Sequence, residues 1–271
     1  MKFYAKLIFF LSLHNINQKK LYKMLLNVTQ SIAPDNYVAF TFFIGYIAML
    51  AASVFFFIER NSVSEKWKMS LLVSGLITGI AAVHYYYMRD YNLVTGDSPT
   101  FFRYVDWILT VPLMCVEFYL LTRLAGATKS LLWKLIFAST WMLVCGYIGE
   151  AFNPGGAGAT SHSVTWGILS TLGYLYILYN AWFGEVAQLA EKSNSETIKA
   201  GVRSLAWFVL VGWAIYPIGY MCMDGGWLSS VMDPSSIDVW YNIADAINKI
   251  GFGLVVYTIA IAESKKELAT S

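Results

Sequence analysis

A lysine stands in the middle of an apolar run, VWYNIADAINKIGFGLVVYTIAI at 239–261, with an aspartate four residues before it. On a helix, Lys249 and Asp245 share a face one turn apart. A charged side chain at bilayer depth costs on the order of 2.5–3.5 kcal/mol even on a lenient insertion scale, so two in one apolar helix need a reason. One reading is a paired charge that fixes helix packing. The sharper reading is chemical: a desolvated amine forms an imine with a carbonyl ligand, and the carboxylate is its counter-charge.

A second set lies in RYVDWILTVPLMCVEFYLL at 103–121. Asp106 follows Arg103 by about one turn, and Thr110 follows Asp106 by four residues. Glu117 comes eleven residues after Asp106, roughly 16 Å along a helix and back at nearly the same azimuth. Both carboxylates then face one interior channel, and Pro112 between them is tolerable where neighbours satisfy the freed carbonyl. An acceptor acid on one side of a titratable nitrogen and a donor acid on the other suit vectorial proton transfer. Glu117 sits among Met114, Cys115, Val116 and Phe118 and is expected to keep its proton until it is used; the plainer alternative is a glutamate that snorkels to the interface. His84, in AAVHYYYM, is either a packing residue or a partner that tunes Asp106. Trp107, Trp213, Tyr216 and Tyr220, with Pro217, could wall a slot for an elongated ligand, although membrane proteins are rich in such aromatics anyway.

The elements that must position these residues follow from composition. Of 271 residues, 57% are hydrophobic and only 13% charged, with a mean hydropathy of +0.53. That is the balance of an integral membrane protein rather than a soluble domain. A net charge of +2 gives no reason to expect nucleic acid. Cys115, Cys145 and Cys222 all fall in apolar runs without paired spacing, which argues against a disulfide framework or a metal site. No Gly-rich phosphate loop, HExxH or CxxC is present. Seven apolar spans are expected, at about 37–58, 69–88, 101–122, 131–151, 163–183, 203–223 and 238–262, separated by charged or Gly/Pro/Asp/Asn-rich loops. The loops are too short to hold a second domain. The fold class expected is an all-α membrane protein, a seven-transmembrane-helix bundle over 37–264, with a leader at 1–36 and a tail at 265–271.

Orientation comes from the loop cations. The loops after spans 1, 3 and 5, with the C-terminus, hold eleven basic residues, among them Arg60, Lys66, Arg123, Lys129, Lys192 and Lys265; the other side holds Arg89 and Arg103. The positive-inside rule therefore puts the N-terminus outside and the C-terminus in the cytoplasm. Lys2, Lys6, Lys19, Lys20 and Lys23 in the leader count the other way. The leader has a short apolar core at 7–13 but no small-residue cleavage site. It reads as an extension, or as sequence upstream of a working start at Met24. The sequon at Asn27 is of a kind common by chance.

RYVDWILTVPLMCVEFYLL, WAIYPIGY and YNIADAINKIGFG together resemble the microbial (type 1) rhodopsins, specifically the proteorhodopsin group of bacterial light-driven proton pumps. The resemblance covers about 36–264. It implies that Lys249 carries all-trans retinal as a protonated Schiff base, that Asp106 and Asp245 are the counter-ions, and that Asp106 is the proton acceptor and Glu117 the donor. Arg103 would organise the outer half, with Trp107, Trp213, Tyr216, Pro217 and Tyr220 around the polyene. Asp-Thr-Glu at 106, 110 and 117 is the outward proton-pump pattern. Met114 falls on the family's colour-tuning site, where an apolar residue goes with green absorption and Gln with blue. Gly167, in TWGILSTLGYLYILY, matches the glycine of carotenoid-binding relatives and could open a carotenoid window beside the retinal ring; its plain alternative is a helix-packing glycine. The resemblance also implies a multi-pass protein of the bacterial cytoplasmic membrane that forms a homo-oligomer, although no residue fixes the oligomer's size. The alternatives are a retinal-based photosensor that signals to a partner protein, and a retinal-free receptor or transporter that uses Lys249 and Asp245 as a gate.

Overall fold

The computed structural model describes residues 33, 35–152, 160–222, 226–231 and 236–270. Met24, the Asn27 sequon and nearly all of the leader lie outside them. The described residues form helices and turns, with no strand among them. In chain order the helices are α1 Tyr37–Glu59, α2 Lys68–Thr95, α3 Thr100–Thr122, α4 Lys129–Ala151, α5 Ser161–Trp182, α6 Glu185–Lys192, α7 Glu196–Trp207, α8 Ile215–Met221 and α9 Ile237–Thr270. A π turn, Phe208–Gly212, joins α7 to α8, so these two act as one rod.

Local chemistry sets the helix ends. Asn36 caps α1 by accepting from Ala39 N at 3.0 Å, Thr128 caps α4, and Thr160 with Ser163 forms a capping box on α5. α2 stops at Gly96, whose φ of +77° is the left-handed conformation that a C-terminal cap favours. A rod of 23 residues, such as α1 or α3, is about 34 Å long and spans a hydrocarbon core of about 30 Å. Among the described residues, six rods are both long and apolar enough to cross a membrane. α5 has the length, at 22 residues, but Ser170, Thr171, Tyr174, Tyr176, Tyr179 and Asn180 dilute its hydropathy.

Successive helices α1 to α5 pack side by side, α7 packs on α5 and α9, and α9 closes the ring onto α1 and α2. Polarity is inverted relative to a soluble protein. Phe40, Ile44, Trp133, Phe137, Leu172 and Leu175 point out of the bundle, whereas Arg103, Asp106, Glu117, Asp245 and Lys249 are buried within it. Lipid must therefore be the outer solvent, and the chain is a multi-pass membrane protein.

The structure corrects the sequence-based boundaries in three places. The stretch 184–199, read as a loop, contains α6 and the start of α7. Val186, Leu189 and Ala190 form a buried stripe that docks α6 on the end of α3; eight residues are too few to stand out from a polar background. The sixth rod is interrupted by the π turn rather than α-helical throughout. The last helix runs on to Thr270, past the expected end at 262. Its added turns are pinned where Glu263 accepts from Ser195 Oγ and pairs with Lys266, both at 2.6 Å, and where Ser264 Oγ accepts from Ser64 N at 2.9 Å.

Candidate functional site

α9 brings Lys249 to the centre of the ring, where α3 presents Asp106. The Lys249 ammonium lies 2.9 Å from Asp106 Oδ2 and 2.8 Å from Asp245 Oδ2, and all three side chains are buried. In this low dielectric an unpartnered amine would be very costly, so the carboxylates hold it. Their surroundings differ. Asp245 also accepts from Tyr85 Oη at 2.8 Å, from Trp107 Nε1 at 3.1 and 3.2 Å, and from Tyr216 Oη. For Asp106, no donor among the described residues reaches Oδ1. Asp245 is thus a fixed anion fenced by neutral donors, whereas Asp106 keeps an oxygen open to a proton.

The remaining sequence-selected residues fall around this cage. Thr110 turns its hydroxyl back to the Asp106 carbonyl at 2.9 Å rather than to the carboxylate. His84 Nδ1 donates to Ile80 O at 2.9 Å and stands 3.8 Å from Asp106 Oδ1, too far for a hydrogen bond. Arg103 faces away from the cage: its Nη2 donates to Asp238 Oδ1 at 2.7 Å, and its guanidinium lies over the rings of Phe42 and Tyr241. Glu117 is fully buried and does not snorkel; its Oε1 accepts from Ser74 Oγ at 3.0 Å. Met114 is buried on α3, one helical turn beyond Thr110.

Beside the cage lies a cavity of about 170 Å³, roughly ten times the space one water needs. Trp107, Val111, Trp213, Tyr216, Pro217 and Tyr220 are among its walls. Trp107 and Tyr216 serve twice, because the same rings that face the cavity donate to Asp245. The π turn shapes this wall. Pro217 has no N–H, so Tyr216 N bonds to Trp213 O at 3.2 Å, and the freed Gly212 carbonyl accepts from Asn248 Nδ2 at 2.9 Å. The neighbour of Lys249 is thereby tied to the ring wall. Gly167 also borders the cavity, and a Cβ there would lie 2.8 Å from Cε1 of Tyr220.

A buried amine held by two acids, next to an apolar aromatic cavity whose walls brace one of those acids, fits a long polyene aldehyde attached at Lys249. Sequence reasoning missed Tyr85, Asp238 and Ser74. Tyr85 was legible as part of the buried stripe Ser74, Thr78, Ala81 and Tyr85 on α2. Asp238 had no such signal, because its burial arises only where Arg103 and Ser98 converge on it.

The family model for bacteriorhodopsin-like protein matches residues 36–263. A green-light absorbing proteorhodopsin from Gamma-proteobacterium EBAC31A08 is 44% identical over 237 residues, which is 85% of this chain and 89% of the relative. A blue-light absorbing proteorhodopsin from Gamma-proteobacterium Hot 75m4 is 43% identical over 230 residues, 84% of this chain and 87% of the relative. The crystallographic structure of xanthorhodopsin, described as a light-driven ion pump with dual chromophore, superposes with a TM-score of 0.73 at 31% identity, covering 87% of this chain and 97% of that one.

Proposed function

The chain belongs to the bacteriorhodopsin-like family, and from that premise we propose that it is a light-driven proton pump, a transporter rather than an enzyme, moving protons outward across the bacterial cytoplasmic membrane. The observation that carries this reading is the cage: Lys249 Nζ between Asp106 and Asp245, with only Asp106 left open to a proton. Lys249 Nζ would hold all-trans retinal through an imine, and the bound group would supply the light-driven isomerisation.

The chain's own groups do the rest. Asp106, whose Oδ2 lies 2.9 Å from Nζ, takes the proton. Asp245 stays an anion among its four donor groups, Tyr85, Trp107, Tyr216 and Lys249, and so stabilises the cation whenever Nζ is protonated. Arg103 and Asp238 terminate the path on the side that loop charge assigns to the outside. On the opposite side Glu117, buried with Ser74, holds the proton that returns to Nζ and is refilled from the cytoplasm. Trp107, Trp213, Tyr216 and Pro217 clamp the polyene.

A carotenoid antenna is the second ligand in this reading. The nearest atoms to a Cβ added at Gly167 belong to the Tyr220 ring, at 2.8 Å, and the xanthorhodopsin structure, described as having a dual chromophore, is among the similar folds. The carotenoid would stack on Tyr220. Copies of the chain assemble into a ring through their lipid-facing sides.

The test is colour followed by transport. Protein given all-trans retinal should gain a visible band that hydroxylamine bleaches and Lys249→Ala lacks. Illuminated vesicles should show a pH change that a protonophore collapses. Colourless protein defeats the pigment; a photocycle without net transport favours the photosensor.

A further inference from the structure

α4 and α5 approach each other closely where Gly173 meets Ala138: a Cβ added to the glycine would lie 2.6 Å from Ala138 O. Nothing larger than a methyl group therefore stands between the two rods at that level. The flanking side chains stand well above this floor, Phe137 and Trp141 on α4, Leu172 and Tyr176 on α5; Phe137 is 68% and Leu172 57% exposed. They border a groove of about 600 Å³ on the outside of the bundle, within the size range of small-molecule sites. It shares no lining residue with the cavity beside Lys249.

The α4 rim is braced. Trp141 Nε1 donates across to Leu169 O of α5 at 3.0 Å, and the Phe137 ring stacks on that of Trp141 with centroids 6.2 Å apart. Walls already ordered in this way lose little further freedom when a molecule is seated between them.

One end of the groove is charged. Lys134 lines it, close to the end of α4 that loop charge assigns to the cytoplasm. Its ammonium stands 4.0 Å from Glu185 Oε2, and both side chains are exposed, so this pairing carries little weight. Glu185 also opens α6, where the helix end itself favours a carboxylate. Lys134 thus keeps donors for a second anion. An apolar furrow that ends in a cation able to snorkel to the interface matches an amphipath with a phosphate at one end and a hydrocarbon chain behind it.

We propose that the α4–α5 groove binds an anionic phospholipid of the inner leaflet, with one acyl chain lying between Trp141 and Leu172 and the phosphate meeting Lys134. The site stands apart from the pigment and from proton transfer.

The test is native mass spectrometry of the full chain released from nanodiscs of equal phosphatidylglycerol and phosphatidylcholine. The parent should retain one phosphatidylglycerol over phosphatidylcholine by about fivefold, the weight of one lysine near an anionic surface. Lys134→Gln should abolish that preference and Lys134→Arg keep it, whereas Lys68→Gln, a cation at the start of α2 on the same side, should match the parent. Phe137→Ala, which takes down one wall, should lower retention of both lipids severalfold. Lys134 and Phe137 are surface side chains, so these variants leave the core of the bundle intact. A parent without lipid preference, an equal loss in Lys134→Gln and Lys68→Gln, parental retention in Phe137→Ala, or a second copy of the chain held in place of lipid overturns the site.

Discussion

Asp106 and Asp245 grip one ammonium at 2.9 and 2.8 Å, but only Asp245 is also held by tyrosine and tryptophan donors. Two acids at equal distance from one nitrogen are thereby given different work. Moving a proton onto Asp245 would break a set of hydrogen bonds; moving it onto Asp106 breaks one ion pair and uses an oxygen no donor holds.

Asp106→Asn should therefore remove the proton acceptor while keeping the shape of the site. Light-driven acidification in vesicles is expected to fall by about a hundredfold or more, the scale of a lost proton-transfer group. The visible band should move to longer wavelength, because a negative charge that stabilises the ground-state cation has gone. Pumping at the parental rate would show that the proton goes elsewhere.

Glu117 is tested on recovery rather than on the first step. It is fully buried, and its hydrogen bond from Ser74 Oγ is 3.0 Å long. Glu117→Gln keeps the volume and the hydrogen-bond acceptor but carries no transferable proton. After a flash, the early deprotonation should be unchanged and the return to the dark state at least about tenfold slower. Recovery at the parental rate would reassign the donor.

Much of this was legible in the sequence because buried charge in a membrane span is conspicuous. Lys249, Asp245, Asp106 and Glu117 stand out against apolar neighbours, and a 3.6-residue period places them on inward faces. What was not legible depends on elements meeting in space. The π turn at Phe208–Gly212 leaves no composition signal, because its register is fixed by Tyr174 donating to the Val209 and Leu210 carbonyls and Asn248 to that of Gly212. Asp238 follows a Pro/Ser-rich loop and reads as one more polar residue at a helix start.

That acid carries a stability prediction. Arg103 is 2% exposed and Asp238 is its ion-pair partner at 2.7 Å. Removing one member of a buried pair leaves an uncompensated charge, typically at a cost of about 3–5 kcal/mol. Asp238→Ala should lower the midpoint of thermal bleaching accordingly, and Asp238→Asn, which can still accept from the guanidinium, should lower it less. Equal midpoints in all three proteins would mean that Arg103 is held adequately by Asn242, whose Oδ1 accepts from Nη1 at 3.3 Å.

Colour tests the face of α3 that meets the pigment. Met114 is seven residues after Trp107 and three after Val111, so it continues the helix face on which both of those line the cavity. A thioether there offers little dipole. Glutamine, of similar length, would bring an oriented amide towards the charged end of the polyene and stabilise the ground state, in which the positive charge sits nearest the nitrogen, more than the excited state, in which it has moved away. Met114→Gln should therefore shift the visible band to shorter wavelength, while the relatives at 44% and 43% identity, one green and one blue, show that overall similarity does not decide the colour. An unshifted band in a fully loaded Met114→Gln protein would place this side chain outside the electrostatic reach of the chromophore.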